Sequence, residues 1–368
     1  MKSNIVISIL FASLICSSCI QETDSNDVAN EYDRIYMAKC VFDTCDRNND
    51  GVITADDLEN VTSTQYKADA ERAIAKFGGD IDRDNFLEIY QTPPNNIGGD
   101  LIANVLYKTV GEKQLMLDIY MPKNRSKGGI PVVMFVHGGG FWIGHKYIIR
   151  NDINPPTAKR LLELGIAVVS INYRLLDRKS VFIKDCLSDG KDAFAYLNMN
   201  ADKYGFDSEN MFVWGQSAGA HIALLLGLSD PEDLPGDEVL SEFRVKPRAT
   251  VAWYGVGFSQ VYDNMFDNKR LSLSEEIATL KEESDAIMSL NYIDAQDPPV
   301  LHMVGAQDNL VPIESSRLLQ KHLNNSEVPN ELIFVENAGH SWAGEDINPD
   351  LDGIADITAK FIVNHIIK

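Results

Sequence analysis

Basic residues are scarce in this chain. Lysine and arginine together number 33 against 54 aspartates and glutamates, a formal net charge of −21 over 368 residues. That balance excludes nucleic acid and anionic membrane surfaces as partners, because both are held by a basic face. Cysteine is scarce too, five in all. Beyond the first twenty residues only Cys40, Cys45 and Cys186 remain, with no CxxC among them and no HExxH anywhere, so neither a zinc centre nor a cysteine nucleophile is expected. Cys40 and Cys45 are close in sequence, and a disulfide and free thiols both fit them. Long apolar runs are missing as well. The stretch Ile5 to Ile15 is about 11 residues, too short to span a bilayer. Solenoid repeats and low-complexity tracts are absent, and 45% hydrophobic residues indicate a globular protein.

What is there begins with a leader. Lys2, the apolar stretch and Cys16-Ser-Ser-Cys19 describe a secretory signal over residues 1–19. Small residues before Cys19 and Gln21-Glu-Thr-Asp24 after it resemble a bacterial lipoprotein processing site, although Cys16 stands where a leucine-like residue is usual. Lipidation of Cys19 and plain cleavage near it both remain open; either gives an exported protein whose membrane contact is at most a lipid anchor. Residues 20–30 read as a polar tether, 31–92 as helices broken by acidic loops, and 93–99 (PPNNIGG) as a linker. From residue 100 the pattern changes. Continuous apolar runs, among them 131–136, 166–171, 211–214, 249–254, 300–304 and 331–335, indicate strands buried on both faces. Helical stretches lie between them at 157–164, 185–203 and 315–323. Such alternation predicts an α/β domain over 100–368, a mostly parallel sheet flanked by helices.

Chemistry-bearing residues sit at the strand ends. Gly215-Gln-Ser217-Ala-Gly219 follows the run 211–214 and opens a helix at Ala220–Leu228. Glycines on either side permit a sharp turn that lifts the serine above the sheet. His137-Gly-Gly139-Gly140 follows the run ending at Val136; its bare backbone can offer N–H groups to a developing oxyanion. Asp308 and His340 each follow a later strand, where open α/β sheets place their sites. The order Ser, Asp, His makes Ser217, Asp308 and His340 a candidate triad.

Through these motifs residues 100–368 resemble the α/β-hydrolase esterases near the hormone-sensitive-lipase group, especially a bacterial feruloyl and acetylxylan esterase-like branch. Leu117-Asp-Ile-Tyr-Met-Pro122, Ile171-Asn-Tyr-Arg174, Asp185 with Asp192, and Asp297-Pro-Pro299 extend the likeness. The resemblance implies Ser217 as nucleophile, His340 as base and then acid, Asp308 as its orienting group, and the N–H groups of Gly139, Gly140 and Ala218 as oxyanion donors. No cofactor is implied for catalysis, and the implied substrate is a small-molecule or polysaccharide ester, with acetyl and feruloyl esters foremost. Gln216 departs from the pattern, since those families often carry an acid before the nucleophile. Gln216–His221 is also similar to prenylcysteine methylesterases and arylformamidases. A peptidase or amidase on the same fold, and a non-catalytic calcium-dependent binding protein, are the rival readings. Residues 258–294 read as an insertion that shapes the pocket.

The acidic front segment carries its own motif. Asp46-Arg-Asn48-Asn-Asp50-Gly51-Val52-Ile-Thr54-Ala-Asp-Asp57 matches an EF-hand loop, with oxygens from Asp46, Asn48, Asp50, Val52, Thr54 and Asp57 and the sharp turn at Gly51. Aspartate in place of glutamate at the twelfth position implies a weak calcium site. Flanking helices are expected at 31–44 and 55–61. Gly79–Leu87 reads as the remnant of a second loop, with Ile81 opposite Ile53; Ile74, Lys76 and Gly78 supply no ligands there. Residues 21–99 hold 17 acidic and 7 basic residues, about half of the net charge.

Overall fold

The protein is described from a computed structural model. It covers residues 97–367 apart from 112, 126–127, 177–179, 235 and 256–286, and, before them, residues 42, 45–46, 50–61, 67, 70–71, 73–75, 78–82 and 86. The leader with Cys19, the tether, Cys40 and Asn48 therefore lie outside the described residues, as do most of the helix expected at 31–44 and of the insertion at 258–294.

The strands are β1 (Val52–Ile53), β2 (Ile81–Asp82), β3 (Asp100–Val110), β4 (Lys113–Met121), β5 (Ile130–Val136), β6 (Ala167–Ile171), β7 (Phe206–Gln216), β8 (Thr250–Trp253), β9 (Val300–Gly305) and β10 (Asn330–Val335). The α-helices described over their full length are α1 (Pro155–Glu163), α2 (Ile183–Met199), α3 (Ala201–Tyr204), α4 (Ala218–Leu228), α5 (Ile313–Asn325) and α6 (Leu351–Asn364). Eight strands form one sheet in the order β10-β9-β8-β7-β5-β6-β4-β3. β5 to β10 run parallel, while β4 is antiparallel to both β6 and β3.

The period of two along each strand builds the two halves of the core. Val132, Met134 and Val136 of β5 point to the face covered by α2 and α4, beside Leu187, Phe194, Ile222 and Leu225. Val133 and Phe135 point to the opposite face, where Leu161 of α1 and Ile354 and Phe361 of α6 pack. Because both faces are covered, β6, β8 and β9 are buried at every residue, as their mainly apolar sequences predict. α4, AGAHIALLLGL, is buried all round, which explains why it is apolar on every side. No described helix is long and apolar enough to cross a membrane.

Two elements of the sheet domain escape the sequence reading. β3 lies at the sheet edge, mostly exposed or half-buried with only Tyr107 buried, and has register shifts between Ile102 and Val105 and between Leu106 and Lys108, so it shows no continuous apolar run. α6 follows the last strand and carries a buried stripe of Ile354, Ala355, Thr358, Ala359 and Ile362.

In the front segment β1 pairs antiparallel with β2, and Ile53 faces Ile81 as expected. Residues 57–60 form a single 3-10 turn where a longer helix over 55–61 was expected. Phe42, Cys45, Ile53, Leu58, Ala70, Ala73, Ile81 and Phe86 make a small separate core.

Candidate active site

The turn after β7 is too tight for ordinary residues. A Cβ on Gly215 would sit 2.1 Å from the Gly219 oxygen, and one on Gly219 would sit 2.2 Å from the Val136 oxygen. Between them Ser217 adopts φ 50 and ψ −121, a strained conformation for a residue with a Cβ. Its N–H is held by the Trp253 carbonyl at 2.9 Å, which pins the turn to β8. The serine thus sits at the carboxyl end of β7 and at the N-terminus of α4, whose free amides favour negative charge nearby.

Strand order brings the other pieces to that point. Ser217 Oγ lies 3.0 Å from His340 Nε2, and His340 Nδ1 lies 2.9 Å from Asp308 Oδ2. The carboxylate fixes the tautomer: Nδ1 carries the proton and donates it to Asp308, leaving Nε2 to accept from the serine hydroxyl. Asp308 is itself aimed by the N–H groups of Leu310 and Val311, which donate to Oδ1 at 2.9 and 2.8 Å. The three candidate residues, 91 and 32 positions apart in sequence, are therefore joined in one hydrogen-bonded line. Such a line can transfer the serine proton to the imidazole as Oγ attacks an electrophile.

The glycine loop lies against the same serine. A Cβ on Gly138 would come 3.0 Å from Ser217 Cβ, and one on Gly139, at φ 116, would come 1.8 Å from the Ile143 oxygen. Trp142 and Ile143 both donate their N–H groups to the Gly139 carbonyl. His137 stacks on Tyr173 at 4.3 Å, and the Tyr173 hydroxyl donates to the His137 carbonyl. Gly138 is thus packed against Ser217, Gly139 and Gly140 follow it in the same tight loop, and Ala218 opens α4.

Arg174, Asp185 and Asp192 of the motifs belong to one largely buried ion-pair network. Arg174 grips Asp189 bidentately at 2.7 and 2.9 Å and reaches Asp185 at 3.2 Å. Lys108 bridges Asp189 and Asp192, each at 2.6 Å, and both carboxylates are fully buried. Losing one partner of such a group would leave a buried charge uncompensated.

One contributor carried no signal in the sequence. Tyr254, read there as the end of a strand, packs its ring edge-on against His340 at 5.1 Å and against Trp342 at 4.7 Å. Its hydroxyl donates to Gln216 Oε1 at 2.7 Å, so the glutamine that replaces the family's acid serves as a neutral acceptor behind the nucleophile. Burial pushes the Tyr254 phenol far above its usual range, so it stays a donor.

In the front segment the described ligand candidates lie on one short loop. Asp46 accepts from the N–H groups of Asp50 and Gly51 at 3.2 and 3.0 Å, Asp50 from Val52 at 2.9 Å, and Asp57 from the Thr54 N–H and hydroxyl at 2.9 and 2.7 Å. Gly51 turns with φ 87, the left-handed conformation that the motif requires. Among the described residues no three acidic, histidine or cysteine side chains converge as a metal site.

Known proteins are similar to this chain. The BD-FAE family matches residues 117–323, a stretch that includes Ser217 and Asp308 and ends before His340. The probable carboxylic ester hydrolase LipM of Mycobacterium tuberculosis is 31% identical over 236 residues, 60% of this chain and 52% of that protein. A probable isoprenylcysteine α-carbonyl methylesterase of Oryza sativa subsp. japonica is 40% identical over 238 residues, 61% of this chain and 54% of that protein. The chain spans about half the length of these curated relatives. Butyrate-bound esterase 2 of Thermogutta terrifontis superposes with a TM-score of 0.60 at 23% identity, covering 74% of this chain and 96% of that one, which shows the fold. The chain belongs to the BD-FAE family and has the α/β-hydrolase fold.

Proposed function

We propose that the protein is a carboxylic ester hydrolase that works through an acyl-enzyme on Ser217. The observation that carries this reading is the line Ser217–His340–Asp308, joined at 3.0 and 2.9 Å above a strained strand-to-helix turn. His340 Nε2 takes the Oγ proton as Oγ bonds to the ester carbonyl carbon. The N–H groups of Gly139, Gly140 and Ala218 hold the resulting oxyanion. As the carbonyl reforms, the alcohol leaves with the proton from His340. Water then attacks the acyl-enzyme with its proton passing to the same nitrogen, and the acid departs as Oγ recovers its hydrogen. Asp308 stays ionised throughout and stabilises the imidazolium.

Acyl esters of polysaccharides, acetyl or feruloyl, are the substrates we favour, on the motif resemblance of residues 117–122, 171–174 and 297–299. Residues 1–19 are proposed to direct export, with Cys19 a candidate lipid anchor, residues 20–30 a tether, 31–92 an EF-hand-like domain, 93–99 its linker and 100–368 the catalytic domain. Calcium is proposed at the loop Asp46–Asp57. Its hard oxygen donors, the turn at Gly51 and the pairing of Ile53 with Ile81 support that role, which would be structural.

Hydrolysis of p-nitrophenyl acetate, butyrate and octanoate tests the reading directly. Turnover is expected with at least one chain length, and an organophosphate should label the peptide bearing Ser217 stoichiometrically. Folded protein that neither hydrolyses these esters nor takes the label overturns it. Calorimetric titration of the full chain with calcium should give heat that Asp46→Ala removes; no heat with the unaltered chain discards the metal site.

A further inference from the structure

The small core of the front segment includes one residue from the catalytic domain, Tyr147, 6% exposed among Phe42, Cys45, Ile53, Leu58, Ala70, Ala73, Ile81 and Phe86. Tyr147 lies seven residues beyond Gly140, in the 3-10 helix Lys146–Arg150. The chain between them is tied at every step. Trp142 and Ile143 bond back to Gly139, and Gly144, at φ 129, passes so close to His137 that a Cβ would lie 2.3 Å from its ring. His145 Nδ1 accepts the Tyr147 N–H, and the two rings lie 4.2 Å apart. Lys146 is anchored by its main chain to Asn172 and Ser170 and by Nζ to buried Asp118 at 2.8 Å. The cations of Lys146 and Arg150 sit 4.0 and 4.1 Å from the Tyr147 ring centre. A shift of this ring therefore has no slack segment in which to dissipate before it reaches the glycines.

We infer that Tyr147 is a positioning residue for the glycine loop, with the front segment as the socket that holds it. The small core acts on the reaction at a distance, by fixing where the Gly139 and Gly140 amides stand relative to Ser217. This inference rests on the esterase reading above and adds a role for the front segment that does not depend on metal.

The test compares Tyr147→Ala, Tyr147→Phe and, from the other side of the contact, Ile53→Ala, all in the full chain. With p-nitrophenyl butyrate, Tyr147→Ala should lower kcat about 10- to 100-fold, less than deletion of an oxyanion donor, while KM changes by about threefold or less. Affinity for a trifluoromethyl ketone, which forms a tetrahedral adduct on the serine, should fall by the same factor as kcat. Tyr147→Phe keeps the ring and should restore both. Ile53→Ala should follow Tyr147→Ala in direction, and it carries the test if that variant does not fold. A lower melting temperature with kcat and ketone affinity within about twofold of the unaltered protein overturns the inference and leaves Tyr147 as packing alone. Absence of turnover in the unaltered protein instead counts against the esterase reading on which it stands.

Discussion

Ser217→Ala is expected to lower kcat by about 10⁵- to 10⁶-fold, with the residual rate that of the oxyanion donors and substrate binding alone. The acyl-enzyme of the proposed reaction cannot form without the oxygen that lies 3.0 Å from His340 Nε2. Asp308→Asn should cost about 10⁴-fold, since an amide donating toward Nδ1 would reverse the imidazole tautomer and turn Nε2–H toward the serine. The double variant should be no worse than Ser217→Ala, because the residues act as a unit. Stability separates this from unfolding. Alanine keeps the Cβ and with it the strain at φ 50, so the melting temperature should move little, whereas Ser217→Gly should stabilise the fold by relieving part of about 1–3 kcal/mol. Activity in Ser217→Ala above about 1% of the unaltered protein would remove Ser217 from the proposed role.

Ser217, Asp308 and His340 could be singled out before any geometry because each follows an apolar run that becomes a strand, β7 and β9 mostly buried and β10 half-buried at the sheet edge. GQSAG is legible for a steric reason: the clashes that Gly215 and Gly219 avoid, 2.1 and 2.2 Å, leave no other residue type at those positions. β3 was illegible because an edge strand needs apolar residues on neither face continuously, and its bulges break even the alternation. Tyr254 was illegible for a different reason. Its place behind His340 follows from the parallel neighbours β7, β8 and β9 and from a Gln216 side chain that turns toward it, and no spacing encodes that. In the front segment the facing of Ile53 and Ile81 was legible from the loop motif, yet the docking of that segment on Tyr147 was not, since one aromatic residue beside a glycine loop carries no pattern.

Acid is expected to unfold this protein well above the pH at which carboxylates protonate. Among the buried histidines outside the triad, His137, His221 and His302 are each lowered by burial from the usual 6.5 to about 4. His137 and His221 each satisfy a ring nitrogen on a carbonyl, Gly138 and Ile287 respectively, which raises them only in part. His302, in the middle of β9, has neither ring nitrogen hydrogen-bonded among the described residues, and Asp308 offsets its desolvation only weakly. Since the unfolded chain binds these protons near pH 6.5 and the folded chain only near 4, folding stability is complete above about pH 6.5 and is lost as pH falls toward 4. Each ring could cost up to about 3 kcal/mol by pH 4, and three together approach the 5–15 kcal/mol that holds a domain. Denaturant unfolding at pH 7.5, 6.5, 5.5 and 4.5 should therefore show stability falling by up to about 4 kcal/mol per pH unit in the middle of the window. His302→Leu removes one titrating ring and two unpaired nitrogens, so it should hold or raise stability at pH 7.5 and cut that slope by about a third. A stability that is level from pH 7 to 5, or a His302→Leu slope equal to that of the unaltered protein, would show that these buried rings do not set the acid limit.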